Sequence, residues 1–361
     1  MSFGVQRMTA EDLEKLIFIA LCEADGGLER RIYLHFYLYD NSVEMIDEKT
    51  RKPFLRRTRV DKLTKRDFFV GSRLLIFGRN INIIDYGDCK TRKELSPRME
   101  RTFLLLKSKS LHKLGEIWCE IVKADFQVVN CKMIKLRPED AVKIHGNETD
   151  STRLSELITS SIEGVSVAME IVARNAVERM KELYEENFPD SPIYSSSSTA
   201  NASRDIEYFF GVQNFSSTAT FSDSTLAILK PHAVRSGKTG EILKEILASG
   251  LRVTAMKMLH LDRKTCEDFL KVYRGVAPEY NQMLLELSSG PCLVLEISPG
   301  SSEDAHSSLR RLCGPFDSEI GRKFYPQSLR AKYGIDRALN AIHCTDLPDD
   351  CASEVDFFFG Q

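Results

Sequence analysis

One histidine in the C-terminal third has neighbours suited to group transfer. His343 stands three residues after Asn340 and three before Asp346, and Glu354 follows eleven residues later. A neutral imidazole attacks phosphorus in line and leaves as readily, so it can carry a group between two partners. Upstream lie Lys230, which heads the run Lys230-Pro-His-Ala, then Tyr273, Arg310 and Arg330. A phosphoryl group in transfer spreads negative charge over its oxygens and calls for fixed cations that need not reorganise. His232, His260 and His306 have no such neighbours and read as structural or exposed side chains. Gly237-Lys238-Thr239 imitates the tail of a P-loop, but the earlier glycine would fall on His232, which excludes that motif. The nine cysteines form no CxxC pair and are odd in number, so neither a zinc module nor a secreted disulfide scaffold fits. They read as reduced, partly buried thiols, and no resident metal site is expected.

These residues need a scaffold, and 361 residues with 42% apolar and 28% charged side chains supply two or three ordinary globular domains. Fifty basic against fifty-two acidic residues leave a formal charge of −2, without the basic excess of a nucleic-acid binder. No apolar run is long enough to span a membrane, and Met1 to Ala10 lacks a signal peptide's apolar stretch, so the expected location is the cytoplasm.

The chain repeats itself beyond residue 100. Thr102-Phe-Leu-Leu-Leu-Lys107 matches Thr225-Leu-Ala-Ile-Leu-Lys230, Gly115-Glu-Ile117 matches Gly240-Glu-Ile242, and Lys132-Met133 matches Lys257-Met258. The run from Gly164 to Ile171 matches Gly290 to Ile297, and both copies close on aromatics, Phe209-Phe210 and Phe358-Phe359. Each copy reads as strand, amphipathic helix, strand, more helix and a buried strand, which predicts an α+β sheet covered by helices on one side. The expected divisions are a β-rich domain over 1–95, a first copy over 101–210, a Ser/Thr-rich linker over 211–223 and a second copy over 224–361.

Residues before 100 alternate in short strand-like runs such as Arg31 to Tyr37 and Ser72 to Phe77. Within them lies a cationic strip of Lys49, Arg51, Lys52, Arg56, Arg57, Arg59, Lys62, Lys65 and Arg66, relieved only by Asp61. It reads either as a solvated face or as a dock for an acidic surface.

In the second copy Lys230-Pro231, Ser289-Gly290-Pro291, Cys313-Gly314-Pro315, Ser328-Leu329-Arg330-Ala331 and Asn340-x-x-His343-x-x-Asp346 follow in one order. Over Asp223 to Phe359 the chain resembles a nucleoside diphosphate kinase. The resemblance implies a ferredoxin-like α/β sandwich for each copy and γ-phosphate transfer from ATP to nucleoside diphosphates through a phosphohistidine. By that pattern His343 is the nucleophile and Glu354 orients its imidazole. Lys230, Arg310 and Arg330 clamp the phosphates, Tyr273 assists Lys230, and Asn340 holds the sugar hydroxyl. Mg²⁺ would travel with the nucleotide. Three positions depart from the pattern. Phe316 replaces a phosphate-binding Thr, Glu279 stands where an aromatic stacks on the base, with Tyr280 beside it, and Cys344-Thr345 replaces Gly-Ser. In the first copy Tyr194 falls where His343 should be and Ser191 where Asn340 should be. A 23-residue deficit falls in the stretch that supplies Arg310 and Arg330, so the first copy is expected neither to bind nor to transfer phosphate.

Phe36-Tyr-x(5)-Val43-Glu-Met, Phe54-Leu-x-Arg-Thr58 and Asn82-Ile-Ile-Asp85-Tyr-Gly-Asp88 resemble a DM-ten domain, a module of axonemal proteins. That likeness implies a small PH-like β domain. Two kinase-like copies behind such a domain resemble a flagellar member of the kinase family, which implies association with tubulin in ciliary doublet microtubules, inside the tubule wall, and with microtubule-nucleating complexes such as the γ-tubulin ring complex. Two readings stand side by side: a phosphotransferase anchored in the axoneme, and a structural microtubule protein with an inherited nucleotide site.

Overall fold

The computed structural model describes residues 14–23, 29–60, 63–95, 99–146, 149–212, 215–300 and 304–360. The signal-peptide reading of Met1 to Ala10, Asp61 and Lys62 of the cationic strip, and linker residues 213–214 lie outside them. The chain divides into two compact units, Met1–Met99 and Glu100–Gln361.

In the first unit β1 (Lys15–Glu23), β2 (Glu29–Tyr37), β3 (Ser42–Asp47), β4 (Pro53–Arg59), β5 (Arg73–Ile76) and β6 (Arg79–Tyr86) precede a short α1 (Cys89–Leu95). They form one six-stranded sheet ordered β4-β3-β2-β1-β6-β5. Leu16, Phe18, Ala20 and Cys22 alternate along β1 and are fully buried, the period of a strand with one face on a core. β4 is an edge strand, and it carries much of the cationic strip. Arg57 pairs with Asp40 at 2.9 Å and lies over Tyr37, and Arg51 lies over Tyr33. Lys49, Arg51, Lys52 and Arg56 are exposed.

The second unit holds both copies of the repeat. The first runs β7 (Glu100–Leu106), α2 (Leu114–Lys123), β8 (Gln127–Lys135), α3 (Pro138–His145), α4 (Ser151–Ile162), β9 (Val165–Ala173), α5 (Ala176–Asn187), β10 (Ile193–Ser195) and α6 (Thr199–Ile206). The second runs β11 (Thr225–Leu229), α7 (Pro231–Arg235), α8 (Thr239–Ala248), β12 (Arg252–His260), α9 (Arg263–Phe269), α10 (Tyr280–Leu287), β13 (Pro291–Ser298), α11 (Ala305–Cys313), α12 (Ser318–Phe324), α13 (Leu329–Tyr333), β14 (Ile342–Cys344) and α14 (Cys351–Phe359). The strands lie in the orders β10-β7-β9-β8 and β12-β13-β11-β14, and the paired strands within each copy are antiparallel. Fourth, first, third, second is the ferredoxin-like arrangement, present twice.

The two copies share one eight-stranded sheet, joined where β8 meets β12 with Lys132 opposite Lys257. Those lysines are equivalent in the repeat, so a pseudo-twofold axis passes between them. Across the same seam α2 packs on α8 through Gly115 and Gly240. A Cβ on Gly115 would lie 2.4 Å from the Lys244 backbone nitrogen, and one on Gly240 would lie 2.7 Å from that of Cys119. Gly115→Ala should therefore cost about 2–3 kcal/mol in urea unfolding, because backbone rather than a flexible side chain must yield. Gly211→Ala, where the nearest atom is 3.7 Å away, is the control. Equal midpoints for the two variants would refute the close-approach argument.

Helices cover both faces of this sheet, not one. Along β11 Ala227 and Leu229 pack with α8 and α11, whereas Leu226 and Ile228 pack with α9, α10 and α14. In the first copy Leu104 and Leu106 face α2, while Phe103 and Leu105 face Ile206 of α6 and Phe209. The physical reason stands in the strands: β11 is buried at every residue, the mark of a strand covered on both sides. The Ser/Thr-rich segment before β11 is tied down by Glu296. This buried carboxylate accepts from the backbone N–H of Thr220 and Phe221 and from the Ser224 hydroxyl at 2.8–2.9 Å.

Candidate functional site

β14 is the fourth strand of the second copy, and its register sets His343 against Ile228 of β11. The approach to it is strained. Asn340 O accepts from Ile342 N at 2.9 Å across Ala341, whose φ is +68°, which makes a γ-turn of the rarer hand. A non-glycine residue held there costs about 1–3 kcal/mol, and such strain persists where its surroundings enforce it. Here Lys230 N donates to Ala341 O at 2.8 Å, tying the turn to the end of β11. Strand alternation sends Ile342 and Cys344 into one core and turns the His343 ring the other way, edge-on to Phe269 at 5.1 Å.

The His343 imidazole is 8% exposed, and its Nε2 lies 3.0 Å from Glu354 Oε2 on α14. Thr345 donates its hydroxyl to the same oxygen at 2.9 Å. With Nε2–H given to Glu354, Nδ1 keeps its lone pair, the state a nucleophile needs.

His343, Lys230, Tyr273, Arg330, Asn340 and Asp346 line one small cavity with Phe316 and Phe269. The fold thus brings together five of the residues singled out from the sequence. Arg310, on α11, reaches the rim through Asp346 at 2.7 Å and Thr345 O at 3.0 Å. Glu354 stands behind the histidine.

Each cation is already engaged by the protein. Lys230 is buried, and its Nζ donates to Ala338 O at 2.8 Å. Burial, and then the charge of Arg330, pull its pKa down to about 7. Arg330 donates to Ile342 O and Gly314 O, both at 3.0 Å, and to the Cys344 sulfur at 3.5 Å. Asp346 takes the Tyr273 hydroxyl as well as Arg310. Burial alone would raise the Asp346 carboxyl, but those two donors outweigh it and hold its pKa below the usual range. Asn340 Nδ2 donates to Phe316 O at 3.0 Å, and its buried Oδ1 has no partner among the described residues. The cavity measures about 10 Å³, the room of one water.

Sequence reasoning left Asp346 without a role, although it ends the motif Asn340-x-x-His343-x-x-Asp346. Its spacing from His343 was the available signal. The departures from the family pattern have visible places. Phe316 lines the cavity with its ring about 6 Å from the guanidiniums of both Arg330 and Arg337, and Glu279 pairs with Arg337 at 3.0 Å.

The first copy repeats the carboxylate device around a different residue. Tyr194 faces Leu105 in the register that His343 has with Ile228. The Tyr194 hydroxyl donates to Asp205 Oδ2 at 2.8 Å and Ser196 to the same oxygen at 2.7 Å, as His343 and Thr345 do with Glu354. A phenol whose pKa burial and Asp205 push up is no nucleophile towards phosphorus. Lys107 is spent on Ser160 at 2.9 Å. The missing block needs one correction. Twenty-eight residues separate α11 from β14 but only five separate α5 from β10, so the counterpart of Arg310's helix survives as α5. What is lost is α12 and α13, and with them the position of Arg330.

The sequence profile described as Nucleoside diphosphate kinase matches residues 100–191 and 223–361, which is most of the first copy and the whole of the second. The chain is 36% identical to Nucleoside diphosphate kinase homolog 7 of Rattus norvegicus over 370 residues, spanning 96% of this chain and 93% of that protein. It is 35% identical over 137 residues to the nucleoside diphosphate kinase of Aquifex aeolicus, spanning 38% of this chain and 94% of that one. A crystal structure of the Aquifex enzyme aligns over the same shares with a TM-score of 0.36. The chain belongs to the nucleoside diphosphate kinase family.

Proposed function

We propose that the second copy transfers the γ-phosphate of ATP to nucleoside diphosphates through a phosphohistidine on His343, within a protein of the ciliary doublet microtubule. The observation that carries the transfer is the His343–Glu354 pair, which leaves Nδ1 as the free base beside Lys230, Arg330 and Asn340. The Nδ1 lone pair attacks the γ-phosphorus, the bond to the β–γ bridging oxygen breaks, and ADP leaves with its electron pair. A terminal phosphate oxygen of the acceptor diphosphate then attacks the same phosphorus, and the P–N bond breaks to restore the imidazole. Through both halves Glu354 holds the Nε2 proton. Lys230 and Arg330 face the charge on the transferred group, and Asn340 offers its side chain to the sugar. Mg²⁺ would arrive with the nucleotide and would offset the charge on its phosphates. Among the described residues no group of three or more His, Cys, Asp or Glu could hold it.

A second reading, a structural microtubule protein with a vestigial site, has its own support. The cavity admits only one water, Phe316 lines it, and every cation is satisfied from within. Labelling with γ-labelled ATP separates the two: acid-labile, base-stable label that chases onto GDP establishes the kinase, and a folded protein without label establishes the scaffold.

The microtubule assignment rests on the DM-ten likeness and on the exposed cations of β4, which complement an acidic tubulin surface. The chain should pellet with microtubules, less so as salt rises. A Lys52→Glu/Arg56→Glu variant should stay in the supernatant. Pelleting that ignores both salt and charge reversal would remove the cationic strip from the explanation.

A further inference from the structure

Lys132 of β8 and Lys257 of β12 stand directly opposite one another across the seam of the two copies. Their neighbours Cys131, Met133, Met256 and Met258 all enter the core shared with α2 and α8, so strand alternation turns both lysines to the other face of the sheet. Side chains opposed on one face begin about 5 Å apart, and like charges there repel. A carboxylate between them would offset that repulsion, yet among the described residues neither ammonium has an ion pair or a hydrogen bond. Their surroundings are aromatic instead. The Lys132 ammonium lies 4.8 Å from the centre of the Phe215 ring and 5.3 Å from that of Phe210, and the Lys257 ammonium lies 5.2 Å from that of Phe359. Ring faces attract a cation without neutralising it. Lys107 and Lys230, the more deeply buried lysines, each donate to an oxygen of the protein, so Lys132 and Lys257 differ from them in having donors to spare.

We propose that Lys132 and Lys257 together bind one phosphate dianion across the seam of the two copies. A monoanionic carboxylate would offset one of the two charges, whereas a phosphate dianion offsets both and has oxygens enough to accept from each ammonium. Each lysine is a compact charge with three donors on a flexible stem, so the pair can close on an anion without backbone movement. Both side chains are half-buried, between exposed and core. Burial with no acid to oppose it draws the Lys132 pKa down to about 8 and that of Lys257 down as well, a cost that a bound anion removes. Neither copy makes this site alone. The first supplies Lys132 and Phe210, the segment between the copies supplies Phe215, and the second supplies Lys257 and Phe359. The site is also distinct from the cavity at His343, whose lining cations are Lys230 and Arg330.

Protection from acetylation tests this on the full-length chain. The protein is exposed briefly to an acetylating N-hydroxysuccinimide ester while inorganic phosphate replaces sodium chloride at constant pH and ionic strength, and each lysine is read by peptide mapping. Acetylation of Lys132 and Lys257 should fall about fivefold along one saturating curve shared by the two, as a single site fills. Exposed Lys143 and Lys264, one in each copy, should not change. In Lys257→Gln the protection of Lys132 should be lost, because one ammonium is left to hold the dianion alone. In Lys230→Met it should persist, which separates this site from the cavity at His343. Equal loss at all four lysines, protection that never saturates, or amines that resist the reagent even in chloride overturns the proposal. So does protection that survives in Lys257→Gln or vanishes in Lys230→Met, and if either variant does not fold, the curves of the unaltered chain decide.

Discussion

Replacing His343 with alanine should abolish formation of the acid-labile phosphoenzyme and lower ATP-to-GDP transfer by about 10⁴-fold or more, because a covalent route without its nucleophile has no partial form. Folding should be little affected. Among the described residues the imidazole makes one hydrogen bond, with Glu354, and that carboxylate keeps the Thr345 hydroxyl. Glu354→Gln separates orientation from charge. Its amide oxygen can still accept Nε2–H, so the ring stays in place, but the negative charge that stabilises the imidazole as it bonds to phosphorus is gone. A loss of about 10²-fold in the rate of labelling is expected, with nucleotide affinity unchanged. Label on His343→Ala, or no difference between Glu354→Gln and the unaltered protein, would remove the His343–Glu354 pair from the mechanism.

Lys230→Met should weaken nucleotide binding by about 10–100-fold, the worth of one charge-assisted hydrogen bond to phosphate, while making the protein more stable. The stability gain follows from linkage. The Lys230 pKa is about 7 in the fold against 10.5 when free, so between those values the unfolded chain binds a proton that the folded chain does not. Stability of the unaltered protein therefore rises with pH across that window. Below pH 7 the cost of burying the charge is present in full. Methionine carries no such cost, so its advantage should be largest at pH 6 and shrink steadily towards pH 10. The same proton makes nucleotide binding pH-dependent, since phosphate favours the charged amine and affinity should fall as pH rises through 7. Thermal midpoints that run parallel for the two proteins from pH 6 to 10 would show that Lys230 titrates near its ordinary value.

Much of the second copy's arrangement was legible beforehand because it depends on spacing along single elements. Asn340 and His343 share one short segment, and the spacing of the family that the chain resembles associates Glu354, on the next helix, with them. Counting also placed Tyr194 on His343's position, because strand pairing advances one residue at a time and both copies use the same register. That helices cover both faces is hidden in the sequence for a related reason. A run such as Leu226 to Leu229 is apolar throughout, and without alternation nothing local says how many faces are covered. The length of the block missing from the first copy follows from counting, but which helix it removes does not, since an amphipathic α5 and an amphipathic α11 share a place without sharing their charged residues.

By itself, then, the sequence determined the repeat, the order of strands and helices, the family, and which copy retains a histidine with its carboxylate. Those properties are carried by local periodicity and by residue types at short separations. Only the tertiary structure decided that the two copies share one sheet through Lys132 and Lys257, and that Gly115 and Gly240 let α2 and α8 touch. It alone decided that Asp346 occupies Tyr273 and Arg310 and that Phe316 lines the small cavity beside His343. These contacts join residues far apart in the chain, and their energies depend on burial and on what else is packed within a few ångströms. Neither quantity is written in the order of the residues.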